Sequence, residues 1–207
     1  MNLSLLFVTG FTLGITGAMI PGPLALFTAS ETLKTNKFAG FKVMLGHIVL
    51  EALAIALLLL GFRSLLTNDI FLNSISKIGG SALIFMGGLL FLKVKTMKIS
   101  EIKSDSNYDK NLIFGGFFFS LISPGFMIWW ATIGLSSILK SLIFGISGLL
   151  AIMLGHWLAD LVWYGLLSYM VDKGKMFLSD KSYQNVIRFF SFMLVMLGAS
   201  FLAGFWR

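Results

Sequence analysis

Gly46-His47-Ile48-Val49-Leu50-Glu51 and Gly155-His156-Trp157-Leu158-Ala159-Asp160 are the two stretches whose reading decides the fold. Each lies inside a long apolar run, and in each a Gly-His pair is followed by a carboxylate four residues after the histidine. On a helix, residues i and i+4 share a face, about 6 Å apart along the axis at about 1.5 Å per residue. The only two histidines of the chain are both here. A carboxylate at bilayer depth is costly and marks a functional position by default. Its repetition points to an internally duplicated, all-α integral membrane protein.

Composition agrees. The 207 residues are 57% hydrophobic and only 12% charged, with a mean hydropathy of +0.90, beyond what a soluble domain uses. A formal charge of +7 is compatible with a nucleic-acid partner in principle. The basic residues, however, fall in short segments between apolar runs, the pattern of cytoplasmic loops, and form no basic-aromatic patch. No nucleic-acid partner is expected; the bilayer is. Met1-Asn2-Leu3-Ser4 has no positive leader region and no small-residue cleavage site after the first run, so that run reads as a retained span. The absence of cysteine excludes disulfides, thiolate metal sites and a dithiol relay.

Six apolar runs can be marked: about Leu3 to Ala29, Phe41 to Phe62, Phe71 to Leu92, Leu112 to Leu135, Leu142 to Met170 and Val186 to Trp206. Runs of about 20 residues suit a hydrocarbon core about 30 Å thick, and in lipid they must be helices. Twelve of the sixteen lysines and arginines lie on one side, in the links after runs one, three and five. The positive-inside rule makes that side cytoplasmic, with both termini outside. The longest polar stretch, Lys93 to Asn111, reads as a solvated linker. It divides the chain into a first three-helix repeat (1–92), a cytoplasmic linker (93–111) and a second three-helix repeat (112–207).

The halves echo one another. Ile20-Pro21-Gly22-Pro23 in helix one is matched by Ser123-Pro124-Gly125 in helix four, and the Gly-His-acid motifs fall in helices two and five; the spacings, 103 residues from Pro21 to Pro124 and 109 from His47 to His156, are close but unequal. An odd number of helices per half sends the halves into the membrane from opposite sides, so the expected architecture is an inverted repeat, as in many secondary transporters.

All three prolines lie within apolar runs. A proline inside a helix removes a hydrogen bond and clashes with the preceding turn, so Pro21, Gly22, Pro23 and Pro124 should break their spans. Such breaks build substrate sites near the membrane midplane, although ordinary kinks are common. Glu51 and Asp160 fall mid-span. A low dielectric disfavours the charged form of a carboxyl group, which suits each acid to hold and release a proton, and His47 and His156 add groups that titrate near neutrality. The same four residues are also a plausible ligand set for a divalent cation; the spacing does not choose, and no resident metal or cofactor is assigned. Trp163 and Tyr164, a turn beyond Asp160, are candidates to line a pathway or cap a cation. Packing is the commoner role of such aromatics and of Trp129-Trp130. Glu31 could gate the site but reads rather as an interfacial partner of Lys34 or Lys37, and Gly10, Gly14, Gly79-Gly80 and Gly87-Gly88 read as close-packing positions. No phosphate-cradling glycine loop with lysine occurs, nor a Gly-x-Ser-x-Gly, so neither an ATP-driven motor nor a serine hydrolase is expected.

Gly17-Ala18-Met19-Ile20-Pro21-Gly22-Pro23-Leu24 followed by Ser30-Glu31-Thr32-Leu33-Lys34, together with Ser123-Pro124, Trp129-Trp130-Ala131-Thr132-Ile133-Gly134 and Gly155-His156-x3-Asp160-x2-Trp163-Tyr164, resembles the LysE-type translocators across nearly the whole chain. The likeness is nearest to an archaeal-like branch with Ser-Glu-Thr-Leu after helix one. It implies six spans, a plasma-membrane location and export of amino acids or related small metabolites in exchange for protons. Many members of the family have Asn-Pro in helix four where this chain has Ser123-Pro124, which bears on cargo more than on fold. The expectation is a secondary transporter, not an enzyme, whose partners are a small-molecule substrate, protons and the bilayer, a second copy of the chain being compatible. The rival readings are a divalent metal cation exporter and a non-transporting membrane scaffold.

Overall fold

The computed structural model describes residues 2–19, 22–61, 68–96, 108–175 and 177–204. Among them every regular element is helical: α1 (Leu3–Ala18), α2 (Pro23–Lys34), α3 (Ala39–Leu59), α4 (Asp69–Lys93), α5 (Tyr108–Leu121), α6 (Pro124–Trp129), a π-helical turn (Trp130–Gly134), α7 (Leu135–Leu142), α8 (Gly145–Lys175) and α9 (Asp180–Leu202), with a 3-10 turn at Val94–Thr96. Among the described residues five stretches are long and apolar enough to cross a membrane, six if α1 and α2, bent by 76° at the break between them, are one span.

The polar–apolar arrangement is inverted relative to a soluble bundle. Along α3, Phe41, Leu45, Val49 and Leu53 are exposed at four-residue intervals, as are Leu150, Leu154, Leu158, Val162 and Leu166 along α8, while His47 and Glu51 on the first and His156 and Asp160 on the second are buried. Outward apolar stripes with an inward polar face are stable where the surroundings are hydrocarbon. The chain is an all-α, multi-pass membrane protein.

Helix starts lie further out than hydropathy alone shows. Asn2, Asn68 and Ser179 cap α1, α4 and α9 by accepting from the backbone N–H of Leu5, Phe71 and Ser182, as short polar side chains do. So α9 begins at Asp180, ahead of the apolar run that marks it in the sequence, and α5 begins at Tyr108, inside the expected linker. Most of that linker, like Pro21, lies outside the described residues.

Pro23 and Pro124 each occupy the first turn of a new helix, after an extended Gly22 and an extended Ser123. A proline there loses no hydrogen bond, and it biases the residue before it away from helical backbone. Pro23 and Pro124 thus hold like positions at the starts of α2 and α6. Downstream of the first break α2 is buried on almost every side from Pro23 to Leu33. It fills the space between α3, α5, α8 and α9.

Glycines set the packing. A side chain at Gly46 of α3 would collide with the backbone of α5 at Ile113 and Phe117, and one at Gly155 of α8 with the backbone of α1 at Phe7 and Phe11. Reciprocally, Gly116 lies on Val43 and Gly10 on Ile152. These contacts interchange under a shift of 109 residues for α3 to α8 and 106 for α1 to α5. The contact order makes α1 run parallel to α8 and α3 parallel to α5. The pair α4 and α9 runs antiparallel, with Gly80 and Gly198 facing each other's carbonyls and Gly87 facing Ser191. Six alternating crossings produce these directions, and on this pattern we propose that the halves are an inverted repeat.

Candidate functional site

The close approach at Gly46 and Gly155 has a direct consequence one residue later, because it carries His47 and His156 into the seam between the halves. His47 and Glu51 are a turn apart on α3, with Nε2 and Oε1 separated by 3.1 Å. His156 Nε2, from α8, lies 2.9 Å from the same Glu51 oxygen and 3.4 Å from Asp160 Oδ2. His47 Nε2 is 4.0 Å from Asp160 Oδ2. All four side chains are buried, Glu51 at 1% exposure.

The hydrogen bonds of this quartet are incomplete. Glu51 Oε2 and Asp160 Oδ2 are buried acceptors with no hydrogen-bond partner. His156 Nε2 lies nearer to Glu51 than to Asp160, which leaves Asp160 Oδ2 short. Orphaned acceptors are costly where water is absent, and these belong to two residues that line one cavity of about 150 Å³.

That cavity lies where both breaks open. Gly22, Pro23 and Leu24 at the start of α2 line it, as do Ser123, Gly125 and Phe126 around the start of α6. Backbone N–H groups of a first turn have no intrahelical partner and carry the positive end of the helix dipole, so α2 directs partial positive charge at a space that also holds two carboxylates. Ser123 does not use its side chain as a cap.

Aromatic rings wall the histidines. Phe126 is edge-on to His47 at 5.6 Å, Trp129 lies over His156 at 4.9 Å with 32° between planes, and Trp130 meets His156 at 5.4 Å in a T-shaped contact. Trp129 and Trp130 both line the cavity, a placement that the sequence reading as packing residues missed. The expected aromatic pair on α8 divides. Tyr164 is buried and lines the cavity, whereas Trp163, one residue off the i+4 position, packs against the apolar cluster that includes Phe27 and Phe119. Pro124 contributes the first residue of α6, and Pro21 lies outside the described residues.

Glu31 pairs with Lys34, one of the two partners expected of it. It is buried in α2, with Oε1 paired to Lys34 Nζ.

The quartet also offers a candidate ligand set for a divalent cation, since one atom each of His47, Glu51 and Asp160 lie within 4.8 Å of one another. The short contacts are hydrogen bonds between imidazoles and a carboxylate. Such an arrangement can hold and move protons and can accept an ammonium group.

Residues 15–204 of the chain match the family of the LysE type translocators. No curated protein and no solved structure matches it.

Proposed function

The chain belongs to the LysE type translocator family, and from that premise we propose that it exports amino acids or related small metabolites across the plasma membrane in exchange for protons. Membership in a translocator family and the apolar helices make it a multi-pass membrane transporter. Cargo and coupling ion are our reading of the cavity.

The observation that carries this reading is the pair of unpartnered oxygens, Glu51 Oε2 and Asp160 Oδ2, in a cavity that the first turn of α2 also lines. A zwitterion has the complementary charges: its ammonium can bond to the carboxylates and its carboxylate can approach the helix start. Protons are the natural counter-ion, because an acid that binds an ammonium in one conformation can bind a proton in the other. The two then compete for the same oxygens, and competition couples their movements. The lysine-rich end is taken as cytoplasmic.

The test is a panel of radiolabelled amino acids and divalent cations in proteoliposomes, with and without an imposed pH gradient. Amino-acid flux that follows the pH gradient supports the reading. Cation flux indifferent to amino acids replaces it with metal export, and no flux of either leaves a scaffold.

A further inference from the structure

The two histidines are not chemically equivalent, and Ser120 is the reason. His47 Nδ1 lies 2.6 Å from Ser120 Oγ, and Ser120 Oγ lies 2.7 Å from the carbonyl oxygen of Gly116 one turn back. A hydroxyl has one proton to give. The carbonyl can only accept, so the serine proton goes there, as it commonly does in helices. The 2.6 Å contact is then satisfied only if His47 Nδ1 carries a proton and donates it to Ser120.

Under the shift of 106 residues that relates α1 to α5, the counterpart of Ser120 is Gly14. Gly14 packs beside His156, and a Cβ built there would lie 2.9 Å from His156 Nδ1. The position that fixes one histidine is thus occupied in the other half by a residue with no side chain.

We infer that Ser120 is a positioning residue that holds His47 in its Nδ1-protonated form, so that Nε2 is the only ring nitrogen of His47 open to proton exchange, a restraint that Gly14 does not impose on His156. The titratable groups facing His47 are Glu51 on its own helix and His156 and Asp160 on α8. With Nδ1 committed, the 3.1 Å contact from Nε2 to Glu51 Oε1 contains one mobile proton. It sits on Nε2 as imidazolium beside carboxylate, or it crosses to Oε1 as imidazole beside carboxylic acid. No other bond changes, and the pair keeps the same total charge. Proton passage through His47 is thereby directed at Glu51.

This inference rests on the proposed proton exchange for its role but not for its chemistry, so the experiment separates the two. With only two histidines in the chain, ring-15N-labelled protein in lipid gives two sets of signals, assigned with His156→Gln. The expected result is a His47 Nδ1 that stays protonated across the accessible pH range, with pH moving only Nε2. In Ser120→Ala the His47 ring becomes a mixture of tautomers, and the pH midpoint of efflux moves by about one unit, a tenfold change in proton affinity, while Ser120→Thr retains the wild-type profile. A His47 ring with unprotonated Nδ1 in the wild-type protein overturns the assignment, whether or not the Ser120 variants fold. A ring locked at Nδ1 in a protein that moves no protons upholds Ser120 and overturns the transport reading instead.

Discussion

Glu51 of the first half and His156 of the second meet at 2.9 Å, a buried bond between residues on helices that never touch in sequence. The same Glu51 oxygen also holds His47 of its own helix. Removing one partner of a buried charged pair costs about 3–5 kcal/mol. We therefore expect Glu51→Ala to lower the melting temperature in detergent sharply. Glu51→Gln, which keeps an acceptor on the same stem, should retain most of the stability; an equal loss in both would show that charge, not hydrogen bonding, holds the seam.

Helix spacing should be intolerant at Gly155 and Gly46, where a Cβ meets backbone, and tolerant at Gly88, where nothing lies within 4 Å. Alanine ordinarily favours a helix over glycine by about 1 kcal/mol. Gly88→Ala should be neutral or stabilising, and Gly155→Ala strongly destabilising. Thermal unfolding followed by size-exclusion fluorescence distinguishes the two; a benign Gly155→Ala would mean that α1 and α8 pack less closely than described.

The C-terminal end of α2 is clasped from outside. Lys175 Nζ donates to the carbonyls of Thr35 at 2.7 Å and Thr32 at 3.3 Å, and Tyr183 donates to that of Leu33 at 3.4 Å. Because α2 fills the space between the cavity and the lysine-rich end, loosening this clasp should favour opening on that side. Hydrogen bonds to a charged donor contribute about 1.5–3 kcal/mol, so Lys175→Met should raise the open population roughly 10- to 100-fold. The chain has no cysteine, so a single Ala29→Cys on α2 can report it. Its alkylation rate should rise with Lys175→Met, and an unchanged rate would argue that α2 does not move.

Trp129 stacks near His156 and lines the cavity. If an ammonium cargo sits between it and the acids, Trp129→Leu removes a cation–π contact worth about 0.5–2 kcal/mol. The KM for cargo should then rise about 2- to 30-fold with little change in stability. A fall in stability with unchanged KM would return Trp129 to a packing role.

Much of this was legible in the sequence, for identifiable reasons. Apolar runs and the placement of lysines are properties of the chain itself, so the spans followed directly. The chain's two histidines, each a turn from an acid, could be singled out because the interior of a membrane protein has so few charges. What distance across the bundle decides was not legible. Ser120 and Gly14 look like ordinary helix residues until their neighbours on α3 and α8 are known. Trp129 and Trp163 are indistinguishable by composition, yet the first faces the cavity and the second an apolar cluster. That Pro23 and Pro124 each start a helix is a matter of backbone geometry. Polar first turns such as Tyr108-Asp109-Lys110 are invisible to hydropathy, which shifted two helix starts.

In the proposed cycle Glu51 and Asp160 exchange protons for cargo. This exchange is tested most directly by loading proteoliposomes with an amino acid that the wild type transports and following internal pH as the cargo leaves. The expected result is acidification of the lumen that tracks efflux, abolished in correctly folded Glu51→Gln and Asp160→Asn proteins. Full efflux with unchanged internal pH in the wild type, or undiminished proton movement in both variants, would contradict it.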